Sequence, residues 1–169
     1  MFGQQSVMSM LMVYLIVILV LEYFRLERGI KLPIVHHLFR AKEADRIGGH
    51  VFFTIGSIIA ISAFSKDIAA AAILMTTFGD ASAAIFGKAF GKTWIPGLKN
   101  RAIEGCAAEF IVNVVIGLIF LPGWLVIAIM AGTATVVETL ADKLDDNLLI
   151  PVFSGFNGQL VGLMIAYFS

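Results

Sequence analysis

Asp80 stands inside a long apolar run, thirteen residues beyond Asp67. In a helix rising 1.5 Å per residue that separation is roughly 20 Å, past the middle of a hydrocarbon core about 30 Å thick. An isolated carboxylate at that depth costs about 3 kcal/mol on insertion scales, so it calls for a cation, a metal ion or a wet cavity, the competing reading being a protonated Asp hydrogen-bonded between helices. Gly79, directly before it, permits a helix break or a close backbone approach. Glu138, Asp142 and Asp145 are spaced by four and three residues, which puts them on one helical stripe. Asp146 and Asn147 follow at once, ahead of Leu148-Leu149-Ile150-Pro151, where the proline favours an extended residue before it. Carboxylates that repel one another along a stripe are neutralised by a divalent cation, and hard oxygen ligands select magnesium over zinc. For Asp142 and Asp145 alone, a solvated loop partly paired with Lys143 is the competing reading. Glu109 and Asn113 form an i,i+4 pair on one face, with Glu104 nearer the membrane surface. Asp80, Glu109, Asn113 and Glu138 are therefore expected to share one polar pocket, although Asn113 also suits a plain interhelical hydrogen bond.

The second chemically dense stretch is basic. Gly87 to Arg101 carries Lys88, Lys92, Lys99 and Arg101 in a segment punctuated by Gly91, Pro96 and Gly97. Lysines act on a polyphosphate as point charges and arginine as a two-pronged donor. Ordinary anchoring at the basic side of a membrane explains the same charges equally well. Gly87 and Gly91 also form a small-xxx-small pair of the kind that packs helices. The stretch is not a Walker A loop, whose Gly-Lys-Ser/Thr ending needs a different run before it and a preceding strand. His36, His37 and His50 read as interfacial or structural, and the lone Cys106 excludes an internal disulfide and a cysteine-based zinc site.

These residues need apolar elements to hold them. Of 169 residues, 59% are hydrophobic and 14% charged, which excludes a soluble domain. Twelve basic and twelve acidic residues balance, so no net field favours nucleic acid. Uncharged runs predict six spans, at about Val7 to Phe24, Ile47 to Phe64, Ile68 to Phe90, Gly105 to Leu121, Trp124 to Leu140 and Leu148 to Phe168. No basic residue precedes the first span and no small-residue cleavage pattern follows it, so it reads as retained in the mature protein. Of the Lys and Arg residues, all but Lys66 fall on one side, which predicts an outside N-terminus and cytoplasmic long loops. The segment Arg25 to Asp45 suits an amphipathic stretch along the headgroups. The expected fold is an all-α, polytopic integral membrane helical bundle of about six transmembrane helices. Residues 1–169 are expected to form a single transmembrane domain with its chemically dense face on the cytoplasmic side of the membrane.

Taken in order, Phe39-Arg40-Ala41-Lys42-Glu43, the stretch Phe78 to Lys92, Ile103-Glu104-Gly105, Val137-Glu138 and Asp145 to Pro151 resemble the dolichol kinase and polyprenol kinase family. That family includes phytol kinases and CTP-dependent diacylglycerol kinases. The resemblance implies a multi-pass enzyme that moves the terminal phosphoryl group of a nucleotide, commonly CTP, to a lipid alcohol. On this reading Asp80, Glu138 and Asp146, with Asn147, hold Mg2+, and Asp80 or Glu138 accepts the hydroxyl proton. Lys88, Lys92, Lys99 and Arg101 neutralise the nucleotide, with Glu104, Gly105 and Asn147 beside it. Arg40, Glu43, Glu109, Asn113, Asp142 and Asp145 support the site. Arg101-Ala102-Ile103-Glu104-Gly105 departs from the family's usual Lys-Ser/Thr-x-Glu-Gly, losing a hydroxyl at Ala102 that Thr93 or Asn100 would have to replace. The expected partners are the lipid alcohol, the nucleotide and membrane lipids, with Gly132 to Thr135 suited to close helix packing either within the chain or across a homodimer. A CDP-lipid-forming cytidylyltransferase is the nearest alternative, disfavoured because Ile150 to Gly155 lacks that family's Pro-Gly-His-Gly-Gly ending. A small proton- or cation-coupled transporter is the alternative of another class, disfavoured because the outer halves of spans three to five are almost without polar groups.

Overall fold

The computed structural model describes residues 3–29, 46–98, 101–141 and 144–168. Among them the chain is helical: α1 Gln4–Arg28, α2 Gly49–Ala63, α3 Lys66–Leu74, a π-helical turn Met75–Gly79, α4 Asp80–Phe90, α5 Ile103–Phe120, α6 Trp124–Leu140 and α7 Asp146–Phe168. Since α3, the π turn and α4 run on as one rod, the rods match the six predicted spans to within a few residues at each end. Four of them, Gln4–Arg28, Lys66–Phe90, Ile103–Phe120 and Asp146–Phe168, are long and apolar enough to cross a membrane, and Gly49–Ala63 and Trp124–Leu140 are shorter apolar helices. The chain is an all-helical polytopic bundle.

Its interior is assembled by narrow stripes. On α5, Gly105, Glu109, Asn113 and Ile116 are buried, and on α6 Ile127, Ala131, Ala134 and Glu138. Both sets recur at three or four residues, so each is one helix face. Met75, Met130 and Ile150 fill the centre with Ala71, Ala72 and Ala134 around them. Lipid surrounds the bundle and is as apolar as these side chains, so close packing rather than escape from water must hold the helices together. The largest contacts join α6 to α7, α4 to α5, α2 to α7 and α5 to α6. Helix α1 packs on α2 and buries only Ile18 and Glu22.

Two local departures from regular helix position the site. The π turn ends immediately before Asp80, and Thr76 and Thr77 donate their hydroxyls to the Ala72 and Ile73 carbonyls at 2.8 and 3.0 Å. These are i→i−4 back-bonds of the kind threonine hydroxyls make in helices, and here they flank the start of the wider turn. The second departure corrects the sequence expectation at Ile150. That residue is helical rather than extended, because α7 starts at Asp146 and continues through Pro151. The missing proline N–H costs one helix bond, and Pro151 is buried against α2 at Gly56.

Candidate active site

Three carboxylates from three rods converge. Asp80 is the first residue of α4, Glu138 lies in the last turn of α6 and Asp146 opens α7. Each offers an oxygen within 4.8 Å of the other two. Glu138 is drawn inside because it is the last member of the buried α6 stripe, and it is 1% exposed. Its Oε1 accepts a bond from Arg101 Nη1, while Oε2 is buried with no hydrogen-bond partner among the described residues. The Nη2 of Arg101 stands 3.6 Å from Asp146 Oδ2. Burial works against the arginine charge, but Glu138, Asp146 and Asp80 outweigh it and hold the guanidinium pKa above its ordinary value.

An octahedral magnesium with bonds of about 2.1 Å has adjacent ligand oxygens about 3 Å apart and opposite ones about 4.2 Å apart. The three carboxylate oxygens approach that span, all donors are hard oxygens, and one of them is a buried orphan. The set fits a hard divalent cation.

Arg101 sits where two described arms of the basic segment pair. Ile95-Pro96-Gly97-Leu98 makes a tight turn closed by Leu98 N–H to the Ile95 carbonyl at 3.2 Å, with Gly97 at φ 83°. Proline followed by a positive-φ glycine is the signature of a type II turn. The two arms then pair: Ile95 N–H donates to the Arg101 carbonyl and Ile103 N–H to the Thr93 carbonyl, with Trp94 opposite Ala102. Glu104 accepts from Thr93 N–H at 3.1 Å, so its carboxylate fastens the base of this loop. Lys88 and Lys92 are exposed near the end of α4.

Below the cluster, α4 and α5 touch at two pinch points. A Cβ on Gly105 would stand 2.8 Å from the Ala83 carbonyl and 3.2 Å from Gly87 Cα, and one on Gly79 would stand 2.6 Å from Asn113 Oδ1. The contacts lie eight residues apart on both helices, 79 to 87 and 105 to 113, so a side chain at either glycine would wedge the same interface. Between them lies Glu109, 1% exposed, its Oε1 3.5 Å from Asn113 Nδ2, which also reaches Thr135 Oγ1 at 3.4 Å.

The structure therefore brings together Asp80, Glu138, Asp146 and Arg101, with Glu109 and Asn113 beneath them. It does not unite the expected acidic stripe. Helix α6 ends at Leu140, so Asp145 is not on Glu138's face; it accepts bonds from Asn147 N–H and Nδ2 at 3.1 and 2.8 Å and caps the start of α7. The physical reason is that Asp145 and Asn147 offer the chain a turn that competes with continued helix. Asn147 thus serves the cap, and Gly105 a helix crossing. Glu109 turns inward to Asn113 rather than to the basic loop. Arg40, Glu43, Lys99 and Asp142 lie outside the described residues, as do His36, His37 and most of Arg25 to Asp45.

One group escaped sequence reading. Glu22, 4% exposed in the first span, pairs with Arg25 Nη2 at 2.5 Å and stands 3.4 Å from His50 Nε2. Arg25 also donates to the Arg46 carbonyl, so the trio ties α1 to the start of α2. The available signal was a carboxylate three residues before an arginine within an apolar run.

Three curated relatives share about half of this chain. The CTP-dependent diacylglycerol kinase 1 of Eremothecium gossypii is 31% identical over 78 residues, 46% of this chain and 25% of its own length. Its namesake in Saccharomyces cerevisiae is 28% identical over 78 residues, 27% of its length, and that of Schizosaccharomyces pombe 27% identical over 81 residues, 37% of its length. The chain spans about a quarter to somewhat over a third of the length of these relatives. No family model matches the chain, and no solved structure matches it. The relatives fall within the lipid kinase family that the motif order resembles.

Proposed function

We propose that this chain, a relative of CTP-dependent diacylglycerol kinases, transfers the terminal phosphoryl group of CTP to the hydroxyl of a membrane lipid. The observation that carries the reading is the meeting of Asp80, Glu138 and Asp146, one from each of three rods, with Arg101 of the basic loop laid against them. Asp80, Glu138 and Asp146 would hold Mg2+, which when bound would supply neutralisation of the phosphate charge. Arg101 presents a two-pronged donor to the phosphates. Lys88 is eight residues beyond Asp80 on α4, about 12 Å along the helix, and with Lys92 it neutralises the rest of the triphosphate while the terminal group rests at the carboxylates. Glu104 keeps the basic loop in place, and Asp145 with Asn147 fixes the start of α7 so that Asp146 faces the cluster. Positioning and electrostatics are what phosphoryl transfer chiefly requires of a protein.

The acceptor's tail stays in the bilayer and its hydroxyl reaches the carboxylates from the membrane side. A diacylglycerol is the first acceptor to try, because that is what the relatives' names specify; a polyprenol is the second. The site faces the cytoplasm, on the strength of the basic loops that share its end of the bundle.

The test is incubation of the purified chain with γ-labelled CTP, Mg2+ and either dioleoylglycerol or a polyprenol in mixed micelles. Labelled lipid phosphate supports the reading. A CDP-lipid formed from α-labelled CTP replaces it with cytidylyl transfer, and no labelled lipid from either acceptor removes it.

A further inference from the structure

We infer that Glu109 holds the hydroxyl of the lipid acceptor and receives its proton, a duty distinct from that of the three clustered carboxylates. The inference rests on the kinase reading above and divides the labour within it. Asp80, Glu138 and Asp146 lie within one ion's reach of each other, and Glu109 is not part of that group. It is nevertheless close enough to Arg101, Asp80 and Asp146 to feel their charges. A carboxylate beside a cation site but outside its ligand set stands where a second reactant belongs.

Its two oxygens are unequal. Oε1 faces the Asn113 amide, which is itself steadied by Thr135, while Oε2 is buried and has no hydrogen-bond partner among the described residues. One oxygen thus orients the group and the other keeps an unused acceptor. A buried carboxylate oxygen accepts only, and leaving it unmatched costs about 1–3 kcal/mol. A phosphate oxygen, another acceptor, is repelled there, whereas an alcohol O–H satisfies it. Glu109 also lies deeper than Gly105, the mouth of α5, and so on the side from which a lipid arrives. By the register of the two glycine contacts it stands opposite Ala83, the small residue between them.

In the step, the alcohol O–H bond breaks and the proton passes to Glu109 Oε2. The freed oxygen pair bonds to the terminal phosphorus. The bond from that phosphorus to the bridging oxygen breaks with its electron pair, which leaves on CDP; the proton is later released to water.

Three quantities decide the matter in Glu109→Gln: kcat with dioleoylglycerol, the affinity for Mn2+ with CTP by electron paramagnetic resonance, and recovery in Glu109→Asp. We expect kcat to fall about a hundredfold or more, the range of a lost general base. Mn2+ and CTP affinity should stay within about twofold, and Glu109→Asp should regain part of the rate. A kcat within about threefold of the parent overturns the assignment. So does loss of Mn2+ binding as severe as in Asp80→Asn, which would make Glu109 an ion ligand or a structural prop. If Glu109→Gln does not fold, Asn113→Ala removes the orienting amide without enlarging the side chain. Slowed transfer with nucleotide binding intact then supports the assignment, and an unchanged rate opposes it. Failure of the parent chain itself to bind Mn2+ and CTP, or to form lipid phosphate, would instead remove the kinase reading.

Discussion

Asp80, Glu138 and Asp146 differ in how firmly each is held. Glu138 is enclosed, with one oxygen on Arg101 and one unpartnered among the described residues, whereas Asp80 and Asp146 are half-buried. Asp80→Asn keeps the volume and removes one charge. It should lower Mn2+ affinity at least tenfold and abolish lipid phosphate formation while leaving the far-ultraviolet circular dichroism spectrum intact; unaltered Mn2+ binding would falsify its place in the set. Removing Arg101 is expected to cost more than removing a surface cation, because buried Glu138 would lose its partner. Arg101→Lys should rescue Arg101→Ala only in part, since a point charge cannot span Glu138 and Asp146 together. Ala102 has a separate explanation. It is the N-cap of α5, buried, and makes no side-chain capping bond. A hydroxyl there would accept from the first-turn N–H groups, so Ala102→Ser should raise stability by about 0.5–1 kcal/mol, read as a higher Tm in detergent.

Among the elements, the π turn is the one that bears on chemistry. It ends at Gly79, against Asn113, and hands the chain to Asp80. Deleting exposed Phe78 removes the extra residue and lets Lys66–Phe90 close as continuous α-helix. The helical content should survive, while the seating of Gly79 on Asn113 is lost and Mn2+ with CTP binds at least tenfold more weakly. Full binding in the deletion would show that the turn is dispensable. Composition made the helices themselves legible, because an apolar run of membrane length has few alternatives to helix when no water can satisfy its backbone. The π turn was not legible. Thr76, Thr77 and Gly79 are compatible with regular helix, and only the pull of α5 on one side and the core around Met75 on the other makes the wider turn the better fit. Asp145 failed for a related reason: spacing assumes that a helix continues, and the local turn with Asn147 ends that assumption.

For the molecule as a whole, the acidic cluster and the basic loop share one end of the bundle. On a Cys106→Ser background, a cysteine at exposed Lys92 should react with an impermeant maleimide only from the cytoplasmic side, and one at exposed Ser65 only from outside; the reverse pattern would invert the orientation. Ligand should also stabilise the fold. A Mg2+–CTP concentration a hundredfold above Kd contributes about 2.7 kcal/mol, so Tm should rise when both are present. Asp80→Asn should lose that rise, and chelation alone should leave the apolar core folded. Sequence by itself determined that this is a six-rod membrane bundle with its charges gathered at one face, because the cost of polar groups in hydrocarbon acts on each segment independently. It also singled out Asp80, Glu138, Asp146 and Arg101 as residues with chemistry to do. Only tertiary structure decided that these four meet, that Asp145 caps a helix instead, that Glu109 faces Asn113, and that Glu22 is buried. Apart from the Asp145 cap, which is a local turn with Asn147, those outcomes depend on which helix faces touch and at what register, and that is set by packing between residues far apart in the chain.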